Sequence, residues 1–162
     1  MKEPPVELRP VEEVAALAAE VVDRFRSDIS GVVEGEVHHV GATAMPFGHT
    51  KGDVDVNLRV AGATLSQAVS ALESRYSVAQ SENWTATFVS FTSHEYELPF
   101  GIQVTVVGSR DDVLLALHEH IRSSPDLVQA YDHVKLAAAP QGRTAYWEAK
   151  NAFLQELLTE IR

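Results

Sequence analysis

The feature that most constrains the fold is a strict alternation of apolar and polar residues from residue 53 to residue 60. Successive side chains of a β-strand point to opposite faces, so this period of two predicts a half-buried strand. The apolar residues are Val54, Val56, Leu58 and Val60, and the polar residues are Asp53, Asp55, Asn57 and Arg59. We expect the apolar side chains to be buried and the two aspartates to be partly exposed at an open end of the sheet.

Hydrophobic periodicity and turn residues predict the other elements. Helices are predicted over residues 11–29, 65–76, 111–122, 124–138 and 144–161. Further strands are predicted over residues 36–40, 84–92 and 101–107, and residues 41–52 are predicted to form a loop. This order is typical of an α+β fold, with a small mixed or antiparallel sheet, helices on one side of it and a helical C-terminal part. The length of 162 residues predicts a single domain over residues 1–162.

Composition and charge exclude several classes of protein. The chain contains no cysteine, which excludes disulfides, zinc ribbons and thiol catalysis. A formal net charge of −10 disfavours non-specific binding to nucleic acid, because such binding requires lysine and arginine to displace counterions. The N-terminal residues lack the apolar segment of a signal peptide, and no stretch approaches the roughly 20 apolar residues of a membrane span. We therefore expect a cytoplasmic protein with no membrane partner.

Asp53 and Asp55 are predicted to project from the same face of their strand, about 7 Å apart. Carboxylates this close repel each other unless a cation lies between them, and Mg²⁺ commonly binds one or two carboxylates together with substrate phosphates. The alternative is a solvated strand face with no ligand. The preceding loop favours a metal site, because Gly41 lets the backbone approach an anion closely and Lys51 supplies a positive charge. Backbone N–H groups and the hydroxyl of Thr43 would add hydrogen bonds to a phosphate.

Four segments, in the same order along the chain, resemble the GrpB family of the nucleotidyltransferase (DNA polymerase β-like) superfamily. Residues 39–46 (HVGATAMP) resemble the family signature HIGSTAVP. Residues 51–56 (KGDVDV) are similar to the family's KPIIDIDV, with two residues fewer. Residues 125–138 (PDLVQAYDHVKLAA) and 146–154 (YWEAKNAFL) are similar to its two helical motifs. The resemblance implies a nucleotidyltransferase-like fold, in which a small mixed sheet is flanked by helices.

The resemblance also implies a site. Asp53 and Asp55 would be the catalytic carboxylates and would hold Mg²⁺ or Mn²⁺, with a nucleoside triphosphate or another phosphorylated small molecule beside them. The substrate-binding residues, taken from the matching positions and from the loop, are His39, Gly41, Ala42, Thr43, Lys51, Lys135, Tyr146 and Lys150. Tyr146 and Lys150 are four residues apart on a predicted helix, so they would share one face. We expect that face to oppose the Gly41 turn.

Two departures from the family pattern leave the activity open. Ala42 replaces the serine of the signature, and Gln103 and Thr105 occupy the outward positions of the strand where active superfamily members usually carry a third carboxylate. One hypothesis is metal-dependent nucleotidyl transfer to an unspecified acceptor. The other is a module that binds a nucleotide or phosphorylated metabolite without transferring anything. A further carboxylate within about 4–6 Å of the aspartate pair would favour the transferase.

The seven histidines and two tryptophans carry little independent signal of a site. No two histidines have the spacing of zinc ligands on a helix. Trp84 and Trp147 would be either core residues or walls of a base pocket, and we expect both in the core.

Overall fold

The alternating segment forms an inner strand of a five-stranded mixed sheet. The computed structural model describes residues 2–162, and its strands are β1 (Arg9–Pro10), β2 (Glu36–Val40), β3 (His49–Thr50), β4 (Val54–Val60), β5 (Ser77–Val78), β6 (Phe88–Ser93) and β7 (Phe100–Val106). The helices are α1 (Ala15–Ile29), α2 (Leu65–Glu73), α3 (Leu114–Arg122), α4 (Pro125–Ala138) and α5 (Arg143–Ile161). The strand order is β2-β4-β7-β6-β5, and only β4 and β7 are parallel neighbours within this sheet. The predicted α+β fold with a mixed sheet is confirmed.

The apolar face of β4 is buried, as its alternation predicts. Val54, Val56 and Leu58 are fully buried, and they share a core with Phe25 of α1 and Leu72 of α2. Burial of one such side chain contributes roughly 1.5–3 kcal/mol. This core also fixes the direction of the polar side chains, because neighbouring residues of a strand point to opposite faces.

The C-terminal helices cover the other face of the sheet, so the prediction of helices on one side was wrong. Helices α3, α4 and α5 pack on one another through a second core made of Met45, Leu117, Ile121, Val128, Leu157 and Leu158. Because these helices pack mainly on one another, they require no row of apolar side chains on the strands that they cover. The alternating pattern of β4 therefore did not predict a helical layer on its polar face. Asn57 is fully buried beneath this layer. Its Nδ2 donates to the carbonyl oxygen of Gln103 and to Oγ1 of Thr105, each at 3.0 Å.

Local chemistry sets several element boundaries. Helix α4 begins after Ser124, whose hydroxyl accepts a hydrogen bond from the N–H of Leu127. The strand predicted from residue 84 begins only at Phe88, because Thr85 pairs back onto Phe88 in a turn. The predicted loop of residues 41–52 contains a single 3₁₀ turn at Ala42–Ala44 and the short strand β3.

Among residues 2–162, no helix has both the length and the apolar character that crossing a membrane requires.

Candidate functional site

The carboxylate of Asp55 lies between two glycines. A Cβ atom added to Gly41 would lie 2.9 Å from Oδ2 of Asp55, and one added to Gly101 would lie 2.9 Å from Oδ1. Gly41 has φ +80°, which is the left-handed region that favours glycine. Gly101 pairs with Asp55 in the parallel register of β4 and β7. The absence of a side chain at Gly41 and Gly101 thus leaves the space that the carboxylate of Asp55 occupies.

Burial makes the negative charge of Asp55 costly. Burial raises the pKa of Asp55, the charges of Lys150 and Lys51 oppose that rise, and the charge of Asp53 adds to it, which leaves the pKa at about 6. Asp53 and Asp55 are each partly exposed, as predicted. The two carboxylates therefore belong to one electrostatic cluster, in which the nearby lysines only partly offset the desolvation of Asp55.

Two lysines flank the aspartates, with the ring of Tyr146 close to both. Nζ of Lys51 lies 3.4 Å from Oδ2 of Asp53. The ring centroid of Tyr146 lies 5.7 Å from Nζ of Lys51 and 5.3 Å from Nζ of Lys150. Burial lowers the pKa of Lys150, and the charges of Asp55 and Asp53 oppose that shift. Tyr146 and Lys150 thus share the face of α5 that is turned toward the aspartates, as their spacing predicts.

A hydrogen-bonded chain supports the turn between β2 and β4. Nε2 of His39 lies 2.9 Å from Oγ1 of Thr43, and this hydroxyl donates to the carbonyl oxygen of Asp53 at 3.1 Å. Burial lowers the pKa of His39 to about 4, so its ring is neutral at pH 7. Because Thr43 donates its hydroxyl hydrogen to Asp53, Oγ1 of Thr43 must accept the hydrogen bond from Nε2–H of His39.

His39 and Thr43 therefore support the turn through internal hydrogen bonds, and neither residue lines the cavity that contains the aspartates. His39 pairs with Val56, so it points to the α1 side of the sheet, away from the carboxylate of Asp55. Thr43 is buried. Both residues were expected to contact substrate, and the structure instead gives them internal hydrogen-bond partners. Gly41 and Ala42, by contrast, line the cavity.

Lys135 has a different environment from Lys150. Its side chain is 2 % exposed and donates to the carbonyl oxygen of His49. Its Nζ lies 3.8 Å from Oδ1 of Asp132 and 4.7 Å from the ring centroid of Tyr131. Asp132 in turn accepts from the backbone N–H of His49 at 2.6 Å. Lys135 is not among the cavity-lining residues, so it ties α4 to β3 where the family resemblance implied a contact with substrate.

A cavity of about 390 Å³ brings all of the remaining predicted residues together. The predicted residues that line it are Gly41, Ala42, Lys51, Asp53, Asp55, Tyr146 and Lys150. Helices α3 and α5 supply most of its apolar wall.

Trp147 also lines the cavity and is 57 % exposed, so its prediction as a core residue was wrong. Trp84 does pack against the main core, with its ring centroid 5.5 Å from that of Phe91.

The donor set fits a hard divalent cation that keeps part of its own water. Asp53 and Asp55 are the only carboxylates that line the cavity within residues 2–162, and Gln103 adds an amide oxygen. Oxygen ligands of this kind suit Mg²⁺ or Mn²⁺. In the described part of the chain, no three His, Asp or Glu side chains form a cluster that could enclose a metal. A cation here would therefore take its other ligands from water and from a bound phosphate.

Sequence reasoning missed two features of this site. Gly101 is one glycine within a strand, and its importance appears only when the register opposite Asp55 is known. The cavity wall formed by Trp147, Asn151 and Gln155 follows a spacing of four residues on α5. That spacing was visible in the sequence, although nothing there distinguished it from an ordinary helix face.

Comparisons with known proteins agree with this fold. The sequence matches the family described as GrpB protein over residues 6–160. The UPF0157 protein VC_A0354 of Vibrio cholerae serotype O1 is 22% identical over 148 residues, which are 91% of this chain and 79% of that protein. The crystal structure of the conserved protein GrpB from Enterococcus faecalis matches with a TM-score of 0.68 and 13% identity, covering 94% of this chain and 99% of that chain.

The fold is thus that of the nucleotidyltransferase-like superfamily, of which GrpB is a member. The family match covers nearly the whole chain, and the chain belongs to the GrpB family.

Proposed function

We propose that the cavity binds the phosphates of a nucleotide, or of a related phosphorylated small molecule, together with Mg²⁺ or Mn²⁺ held by Asp53 and Asp55. The observation that carries this proposal is the convergence of two carboxylates and two lysines in one cavity beside the Gly41 turn. Neither a solvated strand face nor a purely apolar pocket accounts for that combination.

The balance of charge favours a metal and a phosphate together. With both aspartates ionised and both lysines protonated, the four charges cancel. A divalent cation would take over the carboxylates, and the ammonium groups of Lys51 and Lys150 would then be available for phosphate oxygens. A metal or a phosphate alone satisfies only half of this cluster, whereas the pair satisfies both halves.

The turn between β2 and β4 supplies a further donor. The carbonyl oxygens of Gly41 and Ala42 accept from the N–H groups of Ala44 and Met45, each at 3.1 Å. Ala42 lines the cavity, and within residues 2–162 its own N–H group forms no backbone hydrogen bond outside regular elements. Backbone N–H groups in such turns bind anions. This group would meet a phosphate beside the lysines, so Ala42 would contribute its backbone in place of the serine hydroxyl.

Binding without transfer is the function that the donor set supports best. Gln103 faces the cavity where a third carboxylate would complete a two-metal arrangement, and an amide does not balance a second divalent cation. Holding one metal and a phosphate chain requires only the residues already present. In this account the metal neutralises the phosphates, while the lysines and the turn fix their position.

Nucleotidyl transfer is a second candidate, which the placement of Asp53, Asp55 and Lys51 in one cavity favours. An acceptor hydroxyl would lose its proton to solvent and form a bond to the α-phosphorus, while the bond to the leaving pyrophosphate breaks. Release of pyrophosphate from a nucleoside triphosphate during incubation with candidate acceptors would favour this reaction over simple binding.

A thermal-shift screen of the four ribonucleoside triphosphates, with and without Mg²⁺ or Mn²⁺, tests the proposed binding. A ligand at a hundredfold excess over its Kd adds about 2.7 kcal/mol to the free energy of unfolding, which raises Tm by roughly 5–10 °C for a domain of this size. We expect that rise only when metal and nucleotide are both present. Equal Tm values in every condition would refute the proposal.

A further inference from the structure

Two adjacent rows of side chains on α5 line the cavity. Each row follows the spacing of four residues that places side chains on one helix face. The first row is Tyr146, Lys150, Leu154 and Leu158, and the second is Trp147, Asn151 and Gln155. The first row contains the lysine beside Asp55 and continues into the core between the C-terminal helices. The second row has no such role in the fold.

The second row has the composition of a recognition surface. Trp147 is 57 % exposed, and Asn151 and Gln155 are exposed as well. Within residues 2–162, no hydrogen bond joins either amide side chain to another residue, and the hydroxyl of Thr159 donates only to the backbone carbonyl oxygen of Gln155. A single exposed aromatic residue is ordinary. Here, however, the ring lines the charged cavity, and two unengaged amides follow it at intervals of one helical turn.

We propose that this second row is the subsite for a planar heterocyclic base, so that the ligand is a nucleotide and not a phosphosugar or inorganic phosphate. The inference rests on the phosphate binding proposed above and names the other half of the same ligand. Trp147 offers a flat apolar face for stacking. Asn151 and Gln155 each offer a donor and an acceptor for the polar edge of a base.

The position of the row fits this division of the ligand. Trp147 precedes Lys150 by three residues, which is about 4.5 Å along the helix axis. The lysine that would meet the phosphates and the ring that would meet the base are therefore neighbours on one rigid element. Because α5 is anchored through Leu157 and Leu158, the two subsites keep a fixed separation.

Isothermal titration calorimetry in the presence of Mg²⁺ tests this inference with two kinds of probe. The first is each of the four ribonucleoside triphosphates, and the second is inorganic tripolyphosphate, which has phosphates but no base. We expect the wild-type protein to bind at least one nucleotide more tightly than tripolyphosphate. Trp147→Ala should weaken that nucleotide by about tenfold, the scale of one base-stacking contact, and should leave tripolyphosphate unchanged. Trp147→Phe, which keeps an aromatic face, should retain most of the nucleotide affinity.

Phe47→Ala is the matched control, because Phe47 is 43 % exposed and does not line the cavity. It should alter neither affinity. If nucleotides and tripolyphosphate bind equally well and Trp147→Ala changes neither, the base subsite is refuted while phosphate binding stands. If no probe binds the wild-type protein, the proposed function fails and this inference fails with it. Both substituted side chains are exposed, so unchanged Tm values would show that the variants are folded.

Discussion

Asp55 and Gly101 face each other across the parallel pair of β4 and β7, and a Cβ atom on Gly101 would lie 2.9 Å from Oδ1 of Asp55. The atom that would have to move is the end of a flexible side chain. The cost of adding a methyl group at residue 101 is therefore a displaced carboxylate and not a disrupted sheet.

Gly101→Ala should weaken ligand binding without a comparable loss of fold stability. We expect Tm to change by less than about 3 °C, because the backbone at this position is ordinary strand and a change of 1 kcal/mol corresponds to roughly 2–4 °C. Metal-dependent nucleotide affinity should fall at least tenfold. Gly62→Ala is the control, since a Cβ there would make an ordinary contact of 3.5 Å with Val106. Unchanged nucleotide affinity in Gly101→Ala would show that the position of Asp55 is irrelevant to binding.

The pKa of Asp55 predicts a pH-dependent stability. Because burial raises this pKa from 3.8 to about 6, the native state binds the proton more tightly than the unfolded chain. The contribution of Asp55 to stability therefore decreases as pH rises from about 4 to about 6. Asp55→Asn removes this titration, so its free energy of unfolding relative to wild type should rise through that window, by on the order of 1–2 kcal/mol.

Urea unfolding between pH 4 and pH 8, with a chelator present to remove metals, measures this difference. Glu73→Gln, which changes an exposed carboxylate at the end of α2, provides the control and should show a much smaller pH dependence. A difference between Asp55→Asn and wild type that stays constant with pH would contradict the raised pKa.

Lys150→Ala and Lys135→Ala should have opposite consequences. Lys150 lies beside the aspartates, so its loss should weaken a nucleoside triphosphate more than the bare nucleoside, with little change in Tm. Lys135→Ala should lower the free energy of unfolding by roughly 2–4 kcal/mol, because it removes a buried ammonium group that contacts His49 and Asp132. Calorimetric binding and urea unfolding of both variants would distinguish the roles. Equal effects of the two substitutions on binding would contradict the account.

Substitutions of Thr43 test whether its hydroxyl supports the turn that follows β2. Thr43→Val removes the hydroxyl that accepts from His39 and donates to Asp53, and it should cost roughly 1–3 kcal/mol of stability. Nucleotide affinity should also fall, since the backbone at Asp53 loses its restraint. Thr43→Ser keeps the hydroxyl and should preserve both properties to a larger extent. If the two variants behave alike, the hydroxyl does not position the turn.

The sequence predicted the parts of this molecule that depend on local pattern. The alternation of residues 53–60 placed Val54 and Val56 in the core and Asp53 and Asp55 on the opposite face. The spacing of Tyr146 and Lys150 placed them together on α5. The parts that depend on tertiary pairing were not predictable in this way. Gly101 matters through a strand register, and the helices on the polar face pack mainly on one another.

Two lysines and one tryptophan illustrate the same limit. Lys135 and Lys150 both match helical positions of the family, and only their tertiary neighbours separate a structural ammonium group from one beside the aspartates. Trp147 has the residue type of a core position, yet the direction of α5 leaves its ring exposed at the cavity.

In the proposed site, Asp53 and Asp55 hold a divalent cation through which a phosphorylated ligand binds. Calorimetric titration of nucleoside triphosphates, with and without Mg²⁺, into the wild-type protein and the Asp53→Asn/Asp55→Asn variant tests this binding. We expect that binding to wild type requires Mg²⁺ and that it weakens at least tenfold in the variant. The metal-free variant should be as stable as wild type or more stable, because the repulsion between the carboxylates is relieved. Retention of the same Mg²⁺-dependent affinity by the double variant would refute the metal site.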